Sequence, residues 1–254
     1  MSGILKGKTA VIAGIANKWS IATAIAQSYS REGAELVLTY VNEKQKEAIE
    51  TISAGMPVIK MLPLDVTKEE DIQGFADGLK ELNRPINILV HSLAFANKDD
   101  LTNPFIETSR EGFLLAQNVS AYSLVAMTRA VAPLMPEWGS IMTLSYLGAT
   151  RVMPHYNVMG TAKAALESSM RYLAADLGPR NIRVNAISAG AVKTASARAV
   201  KDLTSLMEFA KEWAPMKRLT DPAEVGDAAV LLGSDLSRGI TGNVMFVDAG
   251  MHIV

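Results

Sequence analysis

The stretch Thr9-Ala10-Val11-Ile12-Ala13-Gly14, continued through Ile21 to Glu32, Gly33 and Glu35-Leu36-Val37-Leu38-Thr39-Tyr40, decides the fold. A short apolar, β-branched run reads as a buried strand, and Gly14 turns it into a helical pattern that a second glycine closes. Another such run comes at once. This is a βαβ unit, and a right-handed crossover makes its two strands parallel members of one sheet.

The alternation repeats in both periodicity and spacing from there to the end of the chain. A charged helix from Asn42 leads to Val58-Ile59-Lys60-Met61-Leu62, and a helix from Glu69 to Leu82 leads to Ile86-Asn87-Ile88-Leu89-Val90-His91. One long helix from about Arg110 to Ala132 precedes Ser140-Ile141-Met142-Thr143-Leu144, and another from Tyr156 to Leu177 precedes Ile182-Arg183-Val184-Asn185-Ala186-Ile187. A helix after Asp221-Pro222 and a strand at Val244-Met245-Phe246-Val247-Asp248 close the series. The reading is a single doubly wound α/β domain of Rossmann type over 1–254: a seven-stranded parallel sheet with helices on both faces. Two irregular stretches, 92–109 and 188–199, each come after a strand. Ligands bind beyond the carboxyl ends of strands in such sheets, so these loops are the expected active site.

Composition narrows the function. The 25 basic and 26 acidic residues are interspersed, with no basic stripe for nucleic acid and no polybasic membrane anchor. No apolar run approaches the roughly 20 residues that span a bilayer, and Met1 to Lys6 lacks a signal-peptide pattern. The absence of cysteine excludes disulfides and thiolate chemistry and fits a reducing cytoplasm. His91, His155 and His252 are far apart and none has metal-ligand spacing, so no metal site is expected. A soluble cytoplasmic protein is expected.

Three places carry candidate chemistry. Gly14 lets the backbone approach a pyrophosphate at a helix N-terminus, and Ser20-Ile21 opens that helix, where Ser20 is placed to cap it or bond a phosphate. An ordinary capped turn is the plainer alternative. At Leu64-Asp65-Val66-Thr67, Asp65 is placed to accept an adenine amino group and Val66 to pack on the ring; helix capping by Asp65 or Thr67 is the commoner role. Tyr156 and Lys163 lie seven apart on one helix face, about 10 Å along its axis. The lysine is therefore set to bond the ribose of a cofactor lying along the helix while Tyr156 points at the reacting group. A packed aromatic and an exposed lysine is the alternative.

Tyr156-Asn157-Val158-Met159-Gly160-Thr161-Ala162-Lys163-Ala164-Ala165-Leu166-Glu167, followed by Arg171-Tyr172-Leu173-Ala174-Ala175-Asp176-Leu177-Gly178-Pro179, closely resembles the bacterial enoyl-acyl-carrier-protein reductases, a divergent branch of the short-chain dehydrogenase/reductase superfamily. The resemblance extends to Gly14-Ile15-Ala16-Asn17-Lys18, His91-Ser92-Leu93-Ala94-Phe95-Ala96, Thr108 to Ala116, Ile182 to Gly190 and Gly239-Ile240-Thr241-Gly242. It departs at Ala191, where the family usually has proline, at Lys193 and at Trp19. Replacing proline is expected to loosen the loop beyond Gly190, and a lid over 192–207, mobile without ligand, is expected there.

The resemblance implies catalysis by Tyr146, Tyr156 and Lys163, with NADH (NAD) as cofactor. Tyr156 would stabilise the enolate, and Lys163 would hold the nicotinamide ribose and lower the phenol pKa. It implies cofactor contacts from Gly14, Ser20, Ile21, Val41, Asp65, Val66, Ser92, Leu93, Lys163, Val192, Thr194, Ala195 and Ser196. The acyl-carrier-protein-bound substrate would meet Ala96, Tyr146, Tyr156, Met159 and Met207, and the family resemblance implies a homotetramer. The superfamily's carbonyl reductases instead space Tyr and Lys four apart, with a serine about a dozen residues earlier. Ketone reduction is thus the rival activity, with Ser145 its nearest serine, and an idle dinucleotide-binding subunit the rival from another class. At the end of the second strand Val41 and Asn42 are neutral and Glu43 is acidic, while Lys44 and Lys46 are read as solvated. NADH is therefore expected over NADPH.

Overall fold

The computed structural model describes residues 3–192 and 203–254, with backbone alone for 203–206. Thr194, Ala195 and Ser196, and most of the expected lid, lie outside the described residues.

Seven strands, β1 Thr9–Ala13, β2 Glu35–Tyr40, β3 Val58–Pro63, β4 Ile88–His91, β5 Ser140–Ser145, β6 Arg183–Ala189 and β7 Val244–Val247, form one sheet in the order β3-β2-β1-β4-β5-β6-β7. Every neighbouring pair is parallel. All seven stand where the apolar runs put them, with ends moved by one or two residues. The strand order reverses between β1 and β4, and the crevice beyond their carboxyl ends is where such a sheet takes ligands.

Side chains alternate across the sheet, and two separate cores result. On one face Ala10, Ile12, Leu36 and Leu38 pack with Ile25 and Tyr29 of α1 (Ile21–Arg31), Ile49 of α2 (Glu43–Ile52) and Val225 of a later helix. On the other, Val11, Ala13 and Val37 pack with Phe75 of α3 (Glu69–Lys80) and with Leu124 and Leu166 of two further helices. The continuous hydrophobicity of β1, β4 and β5 comes from burial on both sides.

Three departures from the sequence reading matter for the site. The stretch 92–109 contains a short helix, α4 (Lys98–Thr102), and a single 3₁₀ turn at Phe105–Glu107. The expected helix from Arg110 to Ala132 is α5 (Arg110–Gln117), a π-turn at Asn118–Tyr122 and α6 (Ser123–Val131). The extra residue of a π-turn rotates α6 relative to α5, a common device at functional sites. A helix that periodicity did not separate from its loop, α8 (Leu203–Trp213), stands after the undescribed segment. The long helix α7 (Asn157–Leu177) and α9 (Pro222–Gly233) stand as expected. In α9 Asp221 and Glu224 form a capping box, and Pro222 occupies the first turn.

Helix α9 lies directly against α1. A Cβ at Gly226 would come 2.5 Å from Ser28 Oγ and 2.9 Å from the Ala24 carbonyl oxygen. Backbone cannot yield as a side chain tip can, so the close approach requires glycine. Gly226→Val is expected to destabilise the protein by about 1–3 kcal/mol through overpacking, lowering the thermal unfolding midpoint. An unchanged midpoint would show that α1 and α9 separate without cost.

Candidate active site

The crevice begins at Gly14. Its φ is +110°, and a Cβ there would stand 2.1 Å from the Ser92 carbonyl oxygen. Ser92 N donates to the Ala13 carbonyl at 3.0 Å, so the ends of β1 and β4 are tied across this point. The next turn opens α1, and here the expected cap is not made. Ser20 has an extended backbone at the N-cap position, yet its hydroxyl donates to the Asn17 carbonyl at 2.8 Å and meets Thr23 Oγ1 at 2.9 Å. The first backbone N–H groups of α1, including that of Ile21, thus receive no side-chain cap. The first turn carries no acidic residue. An uncapped helix N-terminus beside Lys18 is chemically suited to an anionic phosphate. A cavity of about 820 Å³ adjoins it, lined by Lys18, Ser20, Ala191, Met207, Arg218 and Thr220 among others. Val192, next to Ala191, is buried at 6 % exposure.

The chemical end is built by the end of β5 and the start of α7. Tyr146 comes directly after β5 and Tyr156 immediately precedes α7; their rings meet edge to face, centroids 4.8 Å apart. Among the described residues neither phenol hydroxyl has a hydrogen-bond partner. Burial pushes the Tyr156 phenol well above its ordinary value and the Tyr146 phenol adds to this; burial raises Tyr146 as well. The expected lowering of the Tyr156 phenol by Lys163 is therefore overturned. Both phenols are protonated donors through the neutral range.

Lys163 is neither exposed nor free, as the plain reading of a helix lysine would have it. It is 5 % exposed, and its Nζ donates to the Leu144 carbonyl at 2.7 Å. An ammonium has three donors, so two remain for other oxygens. Burial pulls its pKa down to about 8, and Glu167 one turn further along α7 pulls the other way. Ser145, the rival catalytic serine, is buried and donates its hydroxyl to Glu167 Oε1 at 2.5 Å, so it is committed to the interior. His91 at the end of β4 bridges Thr143 Oγ1 at 2.9 Å and Ser123 Oγ at 2.7 Å, and burial, aided by the Lys163 charge, lowers it to about 3. It is a neutral structural imidazole.

An apolar wall completes this end. Leu101, Ala116, Val158 and Met159 form a small cluster with Ala96 and Tyr156 packed against it. Three of the five residues expected to meet substrate are thus together, with Tyr146 at the ring contact. Met207 groups instead with Ser20 and Ala191 around the larger cavity. The π-turn explains the wall: Ser120 accepts from Phe95 N at 3.1 Å and lies 3.7 Å from the Met159 sulfur. The loop beyond Leu93 is thereby held over α7. Asn157 binds it from the other side, donating to the Leu101 and Asn103 carbonyls at 3.1 and 2.8 Å.

At the opposite end of the crevice, Val41 is 54 % exposed and Asn42 caps α2 by accepting from Gln45 N at 3.0 Å. Gln45, which sequence reasoning passed over, accepts from Val41 N at 2.7 Å and donates to the Ile15 carbonyl at 3.1 Å, tying this turn to the Gly14 turn. Asp65 caps nothing: its Oδ1 accepts from Thr67 N and Thr67 Oγ1 at 3.0 and 2.7 Å, and Lys68 starts α3 without a side-chain cap. Val66, expected on a ring face, is 8 % exposed and packs in the core with Leu64 and Ile72. Lys46, expected to be solvated, pairs with Glu43 at 3.4 Å and lies 5.5 Å from the Tyr40 ring centroid. Among the described residues no group of three His, Asp or Glu side chains is placed to hold a metal, and no helix is long and apolar enough to cross a membrane.

The burial of Lys163 has a direct test. In a ¹⁵N-lysine NMR titration, assigned with Lys163→Met, its ammonium is expected to lose its proton near pH 8: charged below, neutral above. A midpoint in the range of exposed lysines would show that burial is not felt.

Comparison with known proteins agrees with this geometry. The family model described as enoyl-(acyl carrier protein) reductase matches residues 14–252. The enoyl-acyl-carrier-protein reductase (NADH) of Bacillus subtilis is 47 % identical over 255 residues, covering 100 % of this chain and 99 % of the relative. That of Staphylococcus aureus, an NADPH enzyme, is also 47 % identical, covering 98 % of both chains. The crystal structure of the Bacillus cereus enoyl-acyl-carrier-protein reductase with NADP+ and indole naphthyridinone superposes with a TM-score of 0.97 at 47 % identity, covering 99 % of each chain. On fold, site and full-length similarity together, the chain belongs to the enoyl-acyl-carrier-protein reductase family.

Proposed function

We propose that this protein reduces the double bond of a trans-2-enoyl thioester carried on acyl-carrier protein, using NADH, with the whole of 1–254 as one catalytic domain. The observation that carries this reading is the ring contact of Tyr146 and Tyr156, centroids 4.8 Å apart, with Lys163 buried further along α7. The dinucleotide fits the crevice: uncapped α1 at Ser20 and Ile21 suits the pyrophosphate, Gly14 gives it room, and Val41 faces the adenosine ribose. Asp65 would offer its Oδ2, which also pairs with Lys68 at 3.7 Å, at the adenine end, with Val66 beneath it. Ser92, Leu93 and Val192 border the nicotinamide end, joined in this proposal by Thr194, Ala195 and Ser196. When bound, the nicotinamide supplies the hydride to the β-carbon.

The residues do the rest. Conjugate reduction places negative charge on the thioester oxygen, and a donor fixed beforehand stabilises charge that develops only in the transition state. Tyr156 Oη serves as that donor, its raised pKa keeping the proton on the phenol. Tyr146 buttresses the ring. Lys163 uses its two remaining donors on the nicotinamide ribose. Ala96 and Met159 line the acyl path, and Met207 borders it from the cavity side. A cytoplasmic homotetramer is part of the same proposal; exposed Phe113, Leu114 and Tyr172 on α5 and α7 supply apolar surface for association.

Ketone reduction is the second reading, and Ser145 counts against it because its hydroxyl is turned into the interior. Crotonyl and acetoacetyl thioesters, each with NADH, separate the two: consumption of reduced cofactor is expected with crotonyl alone. Tyr156→Phe is expected to cut kcat on crotonyl thioester about 100-fold, roughly 3 kcal/mol of barrier, with NADH affinity retained. Unchanged turnover would refute the role given to Tyr156.

For cofactor choice, NADH is expected to give the higher kcat/KM, because Val41 and Asn42 are neutral, Glu43 is acidic, and Lys46 is engaged by Glu43 and the Tyr40 ring. Relatives of both preferences exist at equal identity, so the local turn decides. Val41→Arg is the appropriate variant, since Asn42 is needed to cap α2, at about 1 kcal/mol. It is expected to shift the ratio of kcat/KM values toward NADPH; no shift would place the adenosine ribose elsewhere.

A further inference from the structure

Glu167 is an acidic side chain buried to 7 % exposure, and the chemistry above does not use it. It stands one turn beyond Lys163 on α7, on the same helix face. The two residues grip consecutive positions of one strand: Lys163 Nζ donates to the Leu144 carbonyl at 2.7 Å, and Glu167 Oε1 accepts from Ser145 Oγ at 2.5 Å. The next residue in the chain is Tyr146. A carboxylate is costly to bury unless its bonds and charge are met; here the Ser145 hydroxyl supplies the bond, and the buried ammonium one turn earlier on α7 supplies an opposite charge that acts at a distance.

We propose that Glu167 is a positioning residue of the reductase: bound to Ser145 and facing Lys163, it fixes the end of β5 under Tyr146 and keeps the buried lysine charged to hold the cofactor. The inference rests on the reductase reading above. Its electrostatic part comes from the surroundings. The titratable groups that interact electrostatically with Lys163 are Glu167 on α7 and His91 on β4, and the phenols of Tyr146 and Tyr156 stand at the end of β5 and the head of α7. His91 is neutral and the phenols are protonated, so the charge that opposes the burial of Lys163 is that of Glu167. Without that charge, Lys163 would lose its proton at a lower pH. Without the bond to Ser145, Tyr146 would lose its anchor.

The test is the pH profile of kcat/KM on crotonyl thioester, with NADH affinity measured over the same range, for wild type, Glu167→Gln and Glu167→Asp. Gln keeps an acceptor for Ser145 and removes only the charge. Its alkaline limb is expected to fall by about 1 pH unit, with weakened NADH binding, as loss of a close opposite charge requires. Asp keeps the charge, so its limb is expected to stay within a few tenths of a unit of wild type, whatever its absolute rate. A Gln profile superimposing on wild type, or a loss of rate equal at every pH, would overturn the proposal. Should Gln fail to fold, Asp alone decides, and a limb lowered as far as about 1 unit despite the retained charge would overturn it. Wild-type reduction of crotonyl thioester near neutral pH reports on the reductase reading separately.

Discussion

The bond from the buried Lys163 ammonium to the Leu144 carbonyl is the constraint on which the site depends. β5 lies inside the sheet, paired to β4 through four residues and to β6 through six, so its carboxyl end cannot drift. By binding a carbonyl there, α7 takes its position from an inner strand paired on both edges. Tyr156 at the head of α7 and Tyr146 at the end of β5 then have a fixed relation although a loop separates them. Ring contact at 4.8 Å is a consequence of where the helix is tied.

That tie costs desolvation, and the surroundings are arranged around it. Polar groups taken out of water must find partners or destabilise the fold. His91 is bracketed by Thr143 and Ser123, Ser145 is bound by Glu167, and Lys163 of α7 by Leu144, so each of these buried polar side chains has a partner, and Lys163 keeps two donors for other oxygens. The two phenols, in ring contact with each other, have no hydrogen-bond partner among the described residues. The interior network thus selects which hydroxyls remain available for chemistry, and burial keeps those two protonated.

Much of this was legible in the chain, and the limits have physical causes. Strands in a covered parallel sheet are largely apolar and β-branched, so all seven were visible as short runs such as Ile86 to Val90, although β5 and β6 carry buried polar residues and β3 and β7 are only partly buried. The Tyr156/Lys163 spacing was visible because seven residues bring a helix back to nearly the same face. The π-turn at Asn118–Tyr122 was not visible, since its one added residue shifts the apolar pattern by a single position, less than the scatter of an ordinary helix. Ser20 occupies the cap position by sequence and by backbone, and its hydroxyl still turns to Asn17, a choice made by the local turn. Gln45 and Glu167 look like solvated helix residues until the neighbours that claim them are known: the Gly14 turn for one, β5 for the other. Side-chain direction depends on tertiary context, and a residue's identity does not carry it.

The same point decides between two chemistries that share this fold. Along β5 side chains alternate, so Thr143 and Ser145 face the layer of α6 and α7 while Met142 and Leu144 face the α1 and α9 layer. A serine at the last strand position is therefore directed beneath α7 by the pleat itself, and Glu167 holds it there. A serine able to donate to a substrate carbonyl would have to leave that alternation, at or beyond the position that Tyr146 occupies. Here that position is aromatic, and its ring lies against Tyr156. The hydroxyl group at the end of β5 beyond that alternation is accordingly a phenol, set beside a second phenol at the start of α7. The residue type at that position, on a strand held on both edges by its neighbours, is what separates a site with two phenols from one with a serine and a phenol.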